Sequence, residues 1–485
     1  MDELNFETVA VKSVKGAFAL VSRTFIIQVL SIIAAFILTV YLSPANYGVF
    51  FIVSAIVVFF TYFQDIGLAA ALIQKKEEPT VEELRTTFTL QQVLVLTIIL
   101  PALFFSSQIA SMYRLDSEGQ LLLVALLVSF LLSSLRTIPT VLMERHLDFK
   151  RLVIPQIAEN VVYNTSLILL AVAGFGVKTF TIAVLARSII GLGATYAVQS
   201  WPVGLSFEFK KIKHLINFGI PFQTNSLLAL IKDDLLIAYV GTVLPLAQVG
   251  YIAFAQKWAF MPLRLIMDNV IKITFPSYSR LQDDRLALKL ALQKSLFLVS
   301  FFIFPIAIAI ILYAPYLIDF LPRYTKWEPA LLALSFFALN TLFSSISTPI
   351  TNLLNAIGKV NITLVFMVGW TILTWVLTPA FIFLYGFNGF AFASFVISTT
   401  SIIVLMVARR YVDFSFISPI AKQFAAAVFM GLVIFLTQQI ITSFALLSLN
   451  AIFAGIVYLG IVYILNRNEL VKTFGFIITS VRSKV

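Results

Sequence analysis

The segment "LSPANYGVF" at residues 42–50 separates two long apolar runs, and "LPLAQVGYI" at residues 244–252 returns in the same setting about 200 residues later. Two further landmarks recur at similar offsets. "SSLRTIP" (133–139) is answered by "SSISTP" (344–349), and "AGFGV" (173–177) by "YGFNG" (385–389). Six apolar runs lie between equivalent points. Six is an even number, so both halves of the chain take the same orientation. A repeat of this kind predicts two parallel six-helix lobes, related by an axis along the membrane normal, that rock around a central site.

The composition names the solvent. Of 485 residues 60% are apolar and 12% charged, with a mean hydropathy of +0.98, which is the make-up of a polytopic membrane protein. Apolar runs fall at 17–41, 49–73, 88–111, 120–142, 153–174, 179–200 and 215–240, then at 247–273, 292–314, 329–354, 361–385, 388–408, 420–441 and 445–465. Each is near or above the roughly 20 residues a helix needs to cross a bilayer. A transmembrane β-barrel would show alternation instead. The expected fold is an all-α integral membrane protein of about 14 transmembrane helices. Residues 1–205 form an N-terminal six-helix lobe, 206–410 a C-terminal six-helix lobe, and 411–485 two additional helices and a tail.

Charge placement gives an orientation. With Lys12 and Lys15 in the cytoplasm, the cytoplasmic segments hold 23 of the 34 Lys and Arg residues, and the outer loops only Arg114, Lys178, Arg323 and Lys326. Both termini are therefore expected inside. The same asymmetry accounts for the net charge of +11 through basic loops facing anionic membrane lipids, with no need of nucleic acid. The start, "MDELNFETVAVKSVKGAFALVSRTF", is acidic and then basic, and the run behind it is long enough to span, so a cleavable signal peptide is not expected.

Several chemistries are excluded by residue type. Cysteine is absent, which removes disulfides and thiolate chemistry. The two histidines, His146 and His214, sit in basic loops, and there is no Walker-type loop, GxSxG or HExxH. No cofactor, metal site or catalytic residue is expected, and the chain is not read as an enzyme.

Seven cations remain within the apolar runs: Arg23, Arg136, Arg187, Lys232, Lys257, Arg264 and Lys272. Facing lipid they would cost roughly 20 kcal/mol together on insertion scales. Arg136 and Lys272 lie near the cytoplasmic ends of their helices and can snorkel. Arg23 and Asp65 sit at similar depth on consecutive helices, as an ion pair or as ligands. In the eighth run Lys257, Arg264, Asp268 and Lys272 are spaced by seven, four and four, which places them within an arc of about 80° on one helix face. Pro262 in the same run frees a backbone carbonyl. In "LIKDDLLI" (230–237) Lys232, Asp233 and Asp234 are consecutive and cannot share a face, so at least one points into a cavity or the three partly pair with one another. A basic cavity between rocking lobes implies an anionic substrate, since guanidinium and ammonium groups suit phosphate oxygens.

The chain resembles the oligosaccharide-lipid flippases of polysaccharide export, Wzx-like members of the superfamily that contains the multidrug (MATE) exporters. The resemblance is carried by "FQDIGLAAALIQK" (63–75), "RHLDFKRLVIPQIAE" (145–159) followed by "GFGV" (174–177), "NFGIPFQTNSLL" (217–228), "VGYIAFAQKW" (249–258) and "FPSYSRLQDD" (275–284). It implies a substrate of undecaprenyl diphosphate bearing an oligosaccharide repeat unit, flipped from the inner to the outer leaflet of a bacterial-type plasma membrane by alternating access. The family's cationic cavity maps onto Arg23, Arg187, Lys232, Lys257 and Arg264. In some relatives intramembrane carboxylates couple transport to a proton or sodium gradient, and Asp65, Asp233, Asp234 and Asp268 are the matching residues. A polysaccharide polymerase or export complex is the implied protein partner. Two rivals share the fold: the flippase of the lipid-linked peptidoglycan precursor, and a MATE-type cation-coupled drug antiporter, which would want a cavity richer in carboxylates. A membrane glycosyltransferase is a third, but the longest outer loop, "YAPYLIDFLPRYTKWE" (313–328), offers only Asp319 and Glu328 as acids.

Overall fold

The computed structural model describes residues 27–64, 67–75, 77–208, 211–213, 215–216, 227–414 and 417–482. Among them the regular structure is entirely helical, with no strand. Each of the fourteen apolar runs maps onto helix in its described part, several with one break inside the run. Among the described residues nine helices are long and apolar enough to cross a membrane, and Ile27–Tyr41 and Ile420–Leu436 are shorter apolar helices. The three remaining runs lie on Phe149–Val172, Asp234–Val243 and Leu246–Arg280. The second of these is short and the third holds the four charges of the eighth run.

The chain divides into two compact units, Met1–Gly250 and Tyr251–Val485. The first unit therefore runs beyond the basic segment at 206–215 and includes the Asp234–Val243 helix. Within it Phe149–Val172 lies along Lys178–Val198, which also packs on Ser117–Ser134, and Pro44–Thr61 packs on both Ser117–Ser134 and Asp234–Val243. Within the second unit Arg285–Phe320 is the central element, packed against Leu331–Ala356 and Ile417–Leu436, while Val360–Tyr385 lies on Asn388–Thr399. Its core gathers Leu292, Leu296, Phe304, Ile350, Leu353 and Val404, all nearly inaccessible. Large apolar side chains such as Val365, Ile372, Val376 and Phe383 are exposed instead. In a protein dissolved in lipid this is the expected arrangement, because outward apolar surface costs nothing there.

The helix ends show why several quoted motifs read as they do. Thr80 and Glu83 form a capping box at the start of Val81–Phe104: Glu83 N donates to Thr80 Oγ1, and Thr80 N donates to Glu83 Oε2 at 2.8 Å. In "FPSYSRLQDD" the buried Tyr278 hydroxyl donates to Ser295 Oγ at 2.7 Å, and Asp284 caps Arg285–Phe320 by accepting from Leu286 N and Ala287 N at 3.0 Å. The paired "AGFGV" and "YGFNG" landmarks are helix-to-helix turns in which Gly176 (φ 58°) and Gly386 (φ 62°) take the positive φ that glycine adopts without strain. "SSLRTIP" and "SSISTP" differ: the first breaks between Ser117–Ser134 and Thr137–Arg145, whereas the second lies inside the continuous helix Leu331–Ala356.

The opening pair of landmarks meets in space. A Cβ on Gly48 would lie 1.9 Å from the carbonyl oxygen of Leu246, and a Cβ on Gly250 would lie 1.8 Å from that of Pro44. Gly48 and Gly250 are equivalent positions of the repeat, as are Pro44 and Leu246, so the contact is reciprocal. Only glycine permits backbones this close.

On the side of basic loops, Lys211 is held between Glu208 and Glu82, whose hydrogen bonds and charge raise its ammonium pKa above the ordinary lysine range. The side chains are solvent-exposed, so this tie contributes little to stability.

Candidate functional site

Arg23 and Asp65 lie outside the described residues. The other cations fall into two groups, one in each unit.

In the first unit Lys178–Val198 and Phe149–Val172 bring Arg187 to Glu159. Arg187 Nη2 stands 3.7 Å from Glu159 Oε1, with its guanidinium 5.3 Å from the centre of the Tyr163 ring. The other carboxylate oxygen, Oε2, is taken by Arg136 Nη1. Arg136 thus turns inward to an acid on the next long helix, where its position near the helix end suggested snorkelling. The physical reason is that a buried carboxylate, 7% exposed at its side chain, must be paired. Gly191 makes room for the pair, since a Cβ there would lie 2.6 Å from both Arg136 Nη1 and Glu159 Oε2. Two guanidiniums on one carboxylate leave a net positive charge.

Also in the first unit, the helix described from residue 227 is interrupted at Asp233 and resumes as Asp234–Val243. This break resolves the three consecutive charges: Lys232 Nζ donates to Asp233 Oδ1 at 2.8 Å, and Asp233 remains 61% exposed. Lys232 and Asp233 thus pair with each other.

The helix Leu246–Arg280 enters the second unit at Tyr251, and from there it turns one face inward, with Ala255, Ala259, Met267, Val270 and Tyr278 buried. Phe254 stacks on Trp327 at 4.4 Å, and Met267 and Val270 pack on Val299 and Ile303. Lys257, Arg264, Asp268 and Lys272 are all exposed on the remaining surface. None of the four makes an ion pair with a described residue. The local periodicity that placed them within one arc is thus realised as one unburied, cationic helix face. It presents two ammonium groups and a guanidinium around a single carboxylate, which suits an anion rich in oxygens.

The profile of a family described as polysaccharide biosynthesis protein matches residues 37–332, well over half of the chain. The chain belongs to that family. The match spans Arg187, Lys232, Asp233, Asp234, Lys257, Arg264 and Asp268. Among curated relatives, an uncharacterized membrane protein in the cps region of Klebsiella pneumoniae is 26% identical over 73% of each chain. The lipopolysaccharide biosynthesis protein WzxC of Escherichia coli (strain K12) is 21% identical, over 74% of this chain and 72% of that one. Among solved structures, the lipid II flippase MurJ in an inward closed conformation aligns with a TM-score of 0.78 at 18% identity, over 94% of this chain and all of the other. An inward-facing multidrug resistance MATE family transporter aligns at 0.63 and 14% identity, over 79% and 95% of the two chains. The fold of this polysaccharide biosynthesis protein is therefore the one shared by MurJ and the MATE transporters.

Sequence reasoning missed the Glu159 cluster. The signal available was an acid and two bases in neighbouring apolar runs, each of which needs a partner in a membrane. Which base meets which acid depends on helix register, and that is not written in any single run. Among the described residues no three His, Asp or Glu side chains gather as a metal site.

Proposed function

We propose that this chain is a flippase that moves undecaprenyl-diphosphate-linked oligosaccharide repeat units from the inner to the outer leaflet of a bacterial plasma membrane, by alternating access, for polysaccharide export. The observation that carries the reading is the exposed face of Leu246–Arg280, where Lys257 and Arg264 make no ion pair with a described residue. Family membership supplies the pathway. A relative over half of this chain is named a succinoglycan biosynthesis transport protein, ExoT of Rhizobium meliloti (strain 1021), at 20% identity, which favours transport over sugar transfer.

The physical role of the cations follows from the problem of moving a diphosphate. The headgroup leaves water on one side and meets it on the other, and fixed positive charges replace part of its hydration between. Several shared, moderate contacts suit release better than one tight site. Arg264 offers a planar fork to two phosphate oxygens, and Lys257 a point charge. Asp268, four residues from Arg264 and four from Lys272 on the same face, is placed to exchange a proton or a sodium ion as the anion comes and goes. Asp65, Asp233 and Asp234 belong to the same proposal as coupling residues, and Arg23 as a further substrate cation. Both termini lie in the cytoplasm in this reading.

The test is export of surface polysaccharide in cells that depend on this protein, at matched membrane abundance. Lys257→Gln and Arg264→Gln should each cut export by roughly ten-fold or more, one lost charge-assisted contact being worth at least a factor of ten. Arg264→Lys should keep part of it, since the charge survives without the fork. Full export by the double variant would remove these residues from the site. The fold is equally that of a lipid II flippase, so rescue of peptidoglycan synthesis rather than polysaccharide export would move the proposal to that substrate.

A further inference from the structure

Glu159 is a buried acid with two guanidiniums on it, and the transport reading so far gives it no work. Its two partners are unequal. Arg136 holds Oε2 closely and is 23% exposed at its side chain, whereas Arg187 stands off at 3.7 Å from Oε1 and is 40% exposed. Charge-assisted hydrogen bonds are made at about 2.7–2.9 Å, so the Arg187 contact is electrostatic rather than a full bond. Around it, Tyr163 offers a ring face, and Ser188, next along the Arg187 helix, directs its hydroxyl to Val184 O and shares a hydrogen bond with Ser129. No other carboxylate of the described residues bridges to either arginine. The cluster therefore carries one net positive charge, its looser cation is the more accessible one, and an acid occupies the position that an external anion would take.

We propose that Glu159 is a tethered counter-anion: it occupies Arg187 and Arg136 when no substrate is present and yields Arg187 to the oxygens of a diphosphate. This rests on the diphosphate substrate proposed above and adds a second anion site, in the first unit, with a built-in competitor. Such a competitor spares two guanidiniums from facing a low-dielectric medium unpaired in the empty protein. It also weakens substrate binding, which keeps release easy.

The experiment measures binding of inorganic pyrophosphate to the purified full-length protein in lipid nanodiscs, by calorimetry at fixed ionic strength. Glu159→Gln removes the competing charge with nearly the same shape. It should tighten pyrophosphate binding by roughly ten- to a hundred-fold, the scale of one opposing charge a few ångströms away in a partly wet site. Adding Arg187→Gln to that variant should abolish the gain. Gly191→Ala provides a route that keeps every charge: its methyl would press on Arg136 Nη1 and Glu159 Oε2, loosening the pair, and it should tighten binding by a smaller factor. If Glu159→Gln does not fold, Gly191→Ala with and without Arg187→Gln decides. Unchanged or weaker affinity in the folded variant, a gain that survives Arg187→Gln, or no measurable binding to any of these proteins would overturn the proposal and leave a structural ion triad. Because the readout is anion affinity at Arg187, it stands or falls apart from the dependence of export on Lys257 and Arg264.

Discussion

Arg145 directs its guanidinium to the backbone of a distant loop. Its Nη1 donates to the carbonyl of Leu72 at 2.7 Å and its Nη2 to that of Glu77 at 2.6 Å, with Glu78 nearby at 3.5 Å. Leu72 belongs to the last turn of Leu68–Gln74, whose carbonyls have no partner within the helix. One arginine thus joins the "RHLDFKR" and "FQDIGLAAALIQK" segments. Replacing Arg145 with Ala removes several charge-assisted bonds and leaves carbonyls unsatisfied, so it should destabilise the protein by about 2–4 kcal/mol. The expected signs are a lower melting temperature in detergent and faster proteolysis within residues 72–78. A variant that melts and cleaves like the parent would show the ties to be incidental.

At the scale of elements, two backbones come close in the first unit at the start of Pro44–Thr61 and the start of Leu246–Arg280. Gly48 and Gly250 let each helix touch a carbonyl of the other. Gly250→Ala places a methyl where backbone stands, and backbone cannot step aside as a flexible side chain can. We expect about 1–3 kcal/mol of destabilisation from overpacking, read as a lower melting temperature. Gly369→Ala is the control: it lies inside Val360–Tyr385 with nothing within 4 Å of the added Cβ, and should be neutral or slightly stabilising through helix propensity. Equal melting temperatures for the two alanine variants would mean that the glycine contact is not close in solution. The same scale explains the charges. The arc on Leu246–Arg280 was legible because angles along one helix follow from spacing alone. For Lys232, Asp233 and Asp234 the spacing left pairing and a cavity both open, and the break in the helix at Asp233, where Lys232 pairs, was not legible.

For the whole molecule the matter to test is topology, and the natural absence of cysteine makes the test direct. Single cysteines can be introduced without first removing any. Ser117→Cys and Thr325→Cys occupy exposed helix starts in loops expected outside, and Lys359→Cys an exposed turn expected inside. In intact cells a membrane-impermeant maleimide should label the first two and label the third only after permeabilisation. Protection of both Ser117→Cys and Thr325→Cys until the membrane is opened would reverse the orientation argued from the basic loops.

The sequence by itself determined that the protein is helical and built for a membrane, that each of fourteen apolar runs forms helix in its described part, that landmarks recur with a six-helix period, and that one helix has a charged face. These are local properties: the transfer free energy of a segment and its angular pattern are set by consecutive residues, whatever surrounds them. Tertiary structure decided that Arg136 turns to Glu159 rather than to the surface, that Arg187 shares that acid, that Arg145 seals a helix end more than 70 positions earlier, and that Gly48 and Gly250 meet across the repeat. Each depends on the register and depth at which separate helices pack. In a membrane, where burying apolar surface gains little, that register is set by the few buried charges, hydrogen bonds and small residues that need one another.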